Sequence, residues 1–192
     1  MSYIADNVHR ILGRLRELRP DGSVRLMVAA KGHTRAEVEE ALAAGAHLVG
    51  ENRVQEAREK WSEKCQCELH LIGHLQTNKV KYAIQLFDAI DSVDSLRLAE
   101  ALDQRVTTGT LPVMVEVNAG REPEKTGLWP EAIWEFLQDC QRFPRLRFVG
   151  MMAMVPMAKD HSVAEQERIR RIMQETAALW RSCRREGWPW AP

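Results

Sequence analysis

The chain has 192 residues, of which 45% are hydrophobic and 28% are charged. This length and composition are enough for a single domain, residues 1–192, with a hydrophobic core. The 27 basic and 27 acidic residues give a formal net charge of zero, and no block of like charge stands out. The charge balance therefore argues against a nucleic-acid-binding surface or a membrane-binding patch as the main function.

The amino-terminal segment, residues 1–18, mixes charged side chains with apolar ones at helical spacing. It predicts an amphipathic helix and not the uninterrupted apolar region of a signal peptide. No stretch of the chain reaches the roughly 20 apolar residues that a membrane-spanning helix needs. We therefore expect a cytoplasmic protein.

Four cysteines, Cys65, Cys67, Cys140 and Cys183, show neither C-x-x-C spacing nor a histidine at zinc-finger spacing. Cys65 and Cys67 could be imagined as a metal or redox pair, but the C-x-C spacing lacks the second half of any such site. We expect free thiols in a reducing cytosol and assign no metal ligand.

Short apolar runs typical of β-strands alternate with segments of helical periodicity along the whole chain. The strand candidates recur every 20 to 30 residues, which is the period of βα units joined by right-handed crossovers. They are residues 24–30, 47–50, 68–72, 87–91, 111–117 and 146–152. The alternation predicts an α/β domain with a parallel sheet.

Helix-capping patterns occur between these strands. Thr34 with Glu37 forms a capping box ahead of an apolar helical repeat. Asn52 begins the same pattern before a helix at residues 54–61, and Asp94 is expected to cap the helix that follows it. These patterns place helix starts directly after strand ends.

Two prolines and one long periodic segment define the later helices. Pro130 stands at a first helical position, and Pro144 is expected to stop that helix. A final helix is expected from about residue 163 to residue 185.

Polar residues at the ends of successive strands favour a barrel over a doubly wound sheet. The glycine-rich signatures of nucleotide-binding open sheets, G-x-G-x-x-G and G-x-x-x-x-G-K-[ST], are missing. Barrel enzymes instead assemble their sites from the carboxyl ends of several strands. The polar strand-end residues are Lys31, Glu51, Asn52, His74, Ser92 and Asn118. We therefore predict a (β/α)8 TIM-barrel-type fold.

Lys31 is the most informative of these residues because it directly follows the first apolar run. An amine in an apolar setting at a strand end can lose its proton and attack a carbonyl carbon. The ordinary alternative is a solvated loop lysine, and position alone favours that alternative.

Several segments together make the chain similar to a known family. They are residues 28–31 (VAAK), 50–57 (GENRVQEA), 70–79 (HLIGHLQTNK), 92–94 (SVD) and 148–154 (FVGMMAM). In this order and spacing they resemble the pyridoxal phosphate homeostasis proteins, which share the barrel domain of alanine racemase. The resemblance extends over nearly the whole chain, from about residue 4 to about residue 185.

The resemblance implies that Lys31 holds pyridoxal 5'-phosphate as a Schiff base. Burial beside the apolar strand would favour the neutral amine that this reaction needs. By family position Asn52, His74 and Met152 would also contact the cofactor. Each has an alternative: Asn52 as a helix cap, His74 bonded to a loop carbonyl, and Met152 as core packing alongside its neighbouring methionines.

Members of this family are thought to bind, store and release the cofactor, so the resemblance implies a role in vitamin B6 homeostasis. We therefore assign no catalytic residue. The alternative of an alanine-racemase-like enzyme needs a second acid or base on the opposite face of the cofactor. Tyr3 and Tyr82 are the only tyrosines, and neither lies at a strand end. This weakens the racemase hypothesis without excluding a cysteine or a histidine in that role.

The chain departs from the family pattern at its carboxyl end. Only six strands are accounted for by residue 154, so the last two βα units are expected to be absent from a C-terminally truncated barrel. Family segments similar to Ser-Met-Gly-Met-Ser and Arg-Ile-Gly-Thr-x-x-Phe-Gly have no counterpart here. Because barrel phosphate sites are commonly built after strands seven and eight, we expect weakened cofactor binding. Open sheet edges would favour self-association, and a third hypothesis is a truncated barrel without a cofactor role.

Overall fold

The structure is a computed structural model that describes residues 2–62, 66–186 and 188. Six strands form one parallel sheet in the order in which they occur along the chain. The strands are β1 (Met27–Ala29), β2 (Leu48–Glu51), β3 (Glu68–Leu71), β4 (Ala89–Val93), β5 (Leu111–Asn118) and β6 (Leu146–Met154). All six predicted strands are confirmed, with ends shifted by up to three residues.

A helix lies between each strand and the next, one more helix precedes the first strand, and another follows the last. They are α1 (Tyr3–Leu18), α2 (Arg35–Ala43), α3 (Val54–Lys60), α4 (Val80–Leu86), α5 (Leu96–Asp103), α6 (Ile133–Cys140) and α7 (Val163–Arg185). Short 3-10 turns, Thr77–Lys79 and Pro130–Ala132, precede α4 and α6. A doubly wound sheet would reverse its strand order, whereas this sheet adds each strand to the same edge. The prediction of a TIM-barrel-type fold is therefore confirmed, as a partial barrel.

The main core lies between the outer face of the sheet and the helices. Val49, Leu71, Ile90 and Val113 from four strands are fully buried there, together with Leu102 of α5. A smaller cluster fixes α1 against α2 and the start of β1. The opposite face of the sheet carries the polar and small residues that form the candidate site.

The helix starts agree with the predictions in one case and differ in two. The Thr34 capping box is present, because its hydroxyl accepts from the N–H of Glu37 and the Glu37 carboxylate accepts in return. The predicted Asn52 cap is wrong, since α3 begins after Arg53 without a side-chain cap. The predicted Asp94 cap is also wrong: Ser95, one residue later, caps α5.

The later elements follow the predictions more closely. Pro130 occupies the first position of the 3-10 turn that leads into α6. That helix ends at Cys140, four residues before the predicted stop at Pro144, and α7 spans the predicted range. No helix in the described part of the chain is both long and apolar enough to cross a membrane.

The cysteines fall into two groups. Cys140 and Cys183 are buried free thiols, and burial raises the pKa of Cys140 to about 12, which makes it unreactive. Cys67 is disulfide-bonded, so the prediction of a free thiol is wrong at that position. Cys65 lies outside the described residues. Among the residues that are described, no three His, Cys, Asp or Glu side chains group into a metal site.

Candidate functional site

Packing around Gly50 identifies the face of the sheet that carries the site. A Cβ atom at Gly50 would lie 2.7 Å from the sulfur of Met27 and 2.8 Å from Cδ1 of Ile72. These three residues therefore share one face, while their strand neighbours pack against the helices. Side chains alternate along a strand, so Ala29 belongs to this inner face with Gly50. Lys31 and Asn52 follow these two residues just beyond the strand ends.

Lys31 stands in the turn after β1 with an exposed side chain. Ala30 before it is fully buried, and its N–H donates to the carbonyl of Gly50 at 2.9 Å. The expectation that Lys31 is buried among apolar residues is wrong. Within the described residues β1 pairs only with β2, so the inner face beside Ala29 and Lys31 stays open to solvent.

A buried ion pair holds the backbone next to Lys31. The ammonium of Lys60 donates to the carbonyl of Ala30 at 2.7 Å and lies 3.0 Å from Oε1 of Glu51. The indole N–H of Trp61 donates to the same carboxylate oxygen at 3.0 Å. Sequence reasoning missed Lys60 and Trp61, although their position at the end of the helix that begins within the GENRVQEA segment was a usable signal. The network fixes the end of β1 to the end of β2 and the start of the following connection.

Asn52, Gly73 and Ser92 join the ends of three neighbouring strands. A Cβ atom at Gly73 would lie only 2.2 Å from the backbone oxygen of Asn52, so only glycine permits this contact. The Ser92 hydroxyl donates to the carbonyl of Gly73 at 2.7 Å. The side-chain oxygen Oδ1 of Asn52 is buried without a hydrogen-bond partner. Since buried polar atoms normally have partners, this oxygen is available to a ligand.

His74 lies at the rim of the same end of the sheet. Its Nδ1 atom is 3.6 Å from Oδ2 of Asp94, and its side chain is 52% exposed. The partner of His74 is thus a carboxylate and not the loop carbonyl weighed from the sequence. This contact also explains why Asp94 does not cap α5, because its carboxylate faces His74.

The methionines of β6 divide between the two faces. Met151 packs against the helix-side core, as the core-packing alternative expects. Met152 follows it on the opposite, inner face and is only partly buried. In the strand register Met152 lies beside Glu116 of β5. Met152 thus lies on the inner face near the carboxyl end of β6, and Lys31 and Asn52 lie just beyond the carboxyl ends of β1 and β2.

Glu116 is a buried acid on the inner face of the sheet that sequence reasoning missed. Its side chain is 3% exposed, and its neighbours Val115 and Val117 pack on the helix side. The Thr126 hydroxyl donates to Oε1 of Glu116 at 2.7 Å, whereas Oε2 is buried without a partner. Burial is the largest effect and raises the pKa of Glu116; the Thr126 hydrogen bond opposes it, the Asp94 carboxylate adds a smaller rise, and His74 lowers the pKa slightly. The sequence did carry a signal for this residue, because Glu116 is the single acidic residue in the otherwise apolar run of β5.

Asn118, the last polar strand-end residue, is used by its own loop. Its side-chain N–H donates to the carbonyl of Glu122 at 2.7 Å, and its Oδ1 accepts from the N–H of Glu122 at 3.1 Å. The ring of polar strand ends is therefore present, but Ser92 and Asn118 serve to position loops. Lys31, Asn52 and Glu116 keep polar atoms available to a ligand.

Comparison with known proteins agrees with this geometry. The model of the family "Alanine racemase, N-terminal domain" matches residues 2–186. A pyridoxal phosphate homeostasis protein of Pseudomonas aeruginosa is 35% identical over 163 residues, which are 80% of this chain and 71% of that protein. The corresponding protein of Haemophilus influenzae is 32% identical, over 83% of this chain and 69% of its own length.

Solved structures give the same result. PipY of Synechococcus elongatus, solved with pyridoxal phosphate bound, is 31% identical with a TM-score of 0.69, and the match covers 93% of this chain and 85% of PipY. An alanine racemase of Bacillus anthracis matches with a TM-score of 0.74 over 95% of this chain and 47% of the racemase. At 14% identity this last match shows the fold alone. The chain belongs to the alanine racemase N-terminal domain family, on the branch of the pyridoxal phosphate homeostasis proteins.

Proposed function

We propose that this chain binds pyridoxal 5'-phosphate at the open end of its partial barrel and serves cofactor homeostasis in the cytoplasm. One observation carries the proposal: Lys31 and Asn52, whose Oδ1 is buried without a partner, occupy matching positions just beyond the ends of the paired strands β1 and β2. Ala29 and Gly50 are partners in the register of β1 and β2. Lys31 lies two residues after Ala29, and Asn52 lies two residues after Gly50. The named function of the relatives in Pseudomonas aeruginosa and Haemophilus influenzae supports the same assignment.

The polar atoms of the site fit this cofactor in kind. When bound, pyridoxal phosphate supplies an aldehyde, which condenses reversibly with a primary amine. Lys31 presents the only such amine that directly follows a strand of the sheet in the described residues. Asn52 offers a buried acceptor, Met152 offers a polarisable contact to the aromatic ring, and His74 at the rim offers a cationic or hydrogen-bonding group.

The phosphate group has fewer identified partners. Barrel folds commonly bind phosphate with the loops after strands seven and eight, and the described residues supply six strands. For a protein made of these 192 residues alone, we therefore propose weaker binding than a complete barrel would give. The unpaired outer edges of β1 and β6 also favour self-association of such a protein.

A racemase-like activity has less support from the site. Such an enzyme needs a second acid or base beside the cofactor, facing Lys31. Tyr3 lies on α1 and is largely exposed, whereas Tyr82 lies on α4 beneath the guanidinium of Arg58. Neither tyrosine follows the end of a strand in the described part of the chain. We therefore propose cofactor binding and release as the function.

Titration of the purified chain with pyridoxal phosphate tests the proposal. The absorbance of the bound cofactor should shift, and borohydride treatment should attach it permanently to Lys31, as peptide mass spectrometry can locate. Lys31→Ala should abolish the spectral shift, while Lys81→Ala, a matched exposed lysine on α4, should leave it unchanged. Attachment that persists at another residue in Lys31→Ala would refute the proposed site. Turnover of an added amino acid would favour the racemase instead.

A further inference from the structure

The strongest unexplained feature of the site is the free carboxyl oxygen of Glu116. Only 3% of this residue is exposed, and Oε1 already accepts from Thr126. Oε2 is buried without a partner. An unpartnered carboxylate oxygen in such a position is costly, so the group either holds a proton or receives a ligand.

The surroundings of Glu116 place this oxygen at the candidate site. The residue lies on the inner face of β5, beside Met152 in the register with β6. The ionisable groups that act on it are Asp94, after β4, and His74, after β3, both at the same end of the sheet. Within the described residues Glu51 and Asp91 also carry a buried oxygen without a partner, but their carboxylates pair with Lys60 and His70. Glu116 forms no such pair there.

Geometry decides which oxygen of Glu116 can donate a hydrogen bond. Because Oε1 accepts the Thr126 hydroxyl, a proton on this carboxyl belongs on Oε2. Burial is the largest effect on the pKa of Glu116 and raises it; the Thr126 hydrogen bond opposes this rise, and Asp94 and His74 add smaller effects of opposite sign. In its protonated form the carboxyl donates from Oε2, so its ligand partner must be an acceptor.

Pyridoxal phosphate carries an oxygen acceptor next to its aldehyde, the 3-hydroxyl, which ionises readily. We infer that Glu116 contacts bound pyridoxal phosphate through Oε2 and donates a hydrogen bond to this phenolate oxygen. The contact deepens the proposed function on which it rests, because it selects for the phenolic aldehyde over aldehydes that lack the oxygen. Met152 beside it provides the apolar surface that keeps water from the bond.

Selectivity between two ligands provides the test. We would measure the dissociation constants of pyridoxal 5'-phosphate and its 3-deoxy analogue for the unaltered chain, Glu116→Met and Glu116→Gln. The unaltered chain should prefer the phenolic ligand by roughly tenfold, as expected for a hydrogen bond to a charged oxygen. Glu116→Met should lose this preference without weakening the analogue. Glu116→Gln keeps an N–H donor and should retain most of it.

Controls separate this inference from the proposed function. Glu124→Gln, an exposed acid in the loop that follows β5, should leave both dissociation constants unchanged. The Glu116 contact is refuted if the unaltered chain or Glu116→Gln binds both ligands equally. It is also refuted if Glu116→Met keeps the preference for the phenolic ligand. In each case attachment at Lys31 stands. Absence of any Lys31-dependent attachment in the unaltered chain would overturn both. If Glu116 had only a structural role, Glu116→Met would raise the dissociation constants of both ligands by the same factor.

Discussion

Replacing Lys60 by methionine tests whether the ion pair beside Lys31 is truly buried. The Glu51 carboxylate is 0% exposed, and the Lys60 side chain is 13% exposed. Lys60→Met removes the ammonium that neutralises Glu51 at 3.0 Å and the donor that reaches the Ala30 carbonyl at 2.7 Å. Breaking a buried pair on one side costs about 3–5 kcal/mol, whereas an exposed pair is worth at most about 1 kcal/mol. We expect the free energy of unfolding to fall by about 3–5 kcal/mol.

Urea unfolding followed by circular dichroism measures this loss directly. Lys81→Met, on the exposed face of α4, is the matched control and should change the free energy of unfolding by less than about 0.5 kcal/mol. The double variant Lys60→Met with Glu51→Leu removes both charges and should recover most of the loss, because no unpaired charge remains. A Lys60→Met loss below about 1 kcal/mol, or a double variant as unstable as the single one, would contradict this reasoning.

Two further predictions concern Gly73 and His70. Gly73→Ala would place a Cβ atom 2.2 Å from the Asn52 backbone oxygen, so it should lower the melting temperature and weaken pyridoxal phosphate binding. Gly13, on α1, has open space around it, so Gly13→Ala should leave the melting temperature unchanged or raise it slightly. An unchanged melting temperature for Gly73→Ala would contradict this prediction, because it would show that the loop moves freely away from the added Cβ atom. Burial lowers the pKa of His70, but its bonds to Asp91 and Glu68, at 2.8 and 2.9 Å, outweigh that effect and raise it above 6.5. The stability from charged His70 should therefore be complete below about pH 6.5 and decline as the pH rises through the folded-state pKa. The difference in unfolding free energy between the unaltered chain and His70→Gln should shrink over that range, and a difference that grows with pH would refute the sign.

The strands and the capping box were predictable because their signals are local. Apolar runs separated by capped helices locate all six strands, and the Thr34 box forms from residues three positions apart. The caps at Asn52 and Asp94 were mispredicted because tertiary contacts decide them. Asn52 packs its backbone against Gly73, and Asp94 faces His74.

The polar partners of the site depended on contacts that no local pattern encodes. Lys60 reaches Ala30 across 30 residues, and Glu116 meets Asp94 and His74 only after three strands align. The exposure of Lys31 depends on the edge of the sheet, which a strand's own sequence does not specify. Sequence reasoning therefore proposed the residue that would present the amine and missed the residues that hold its surroundings.

The backbone at Lys31 is more tightly held than its side chain, and this difference suits reversible binding. Ala30 donates to Gly50, and its carbonyl accepts from Lys60 and from the N–H of His33 at 3.2 Å. The base of the lysine is thus fixed by three hydrogen bonds, while the amine at its tip is free to meet a ligand from solvent. Fixing the base lowers the ordering cost of attachment, and an exposed tip leaves the bond accessible to water. Attachment at Lys31, as proposed above, would draw on both features: the held backbone for capture and the reachable amine for release.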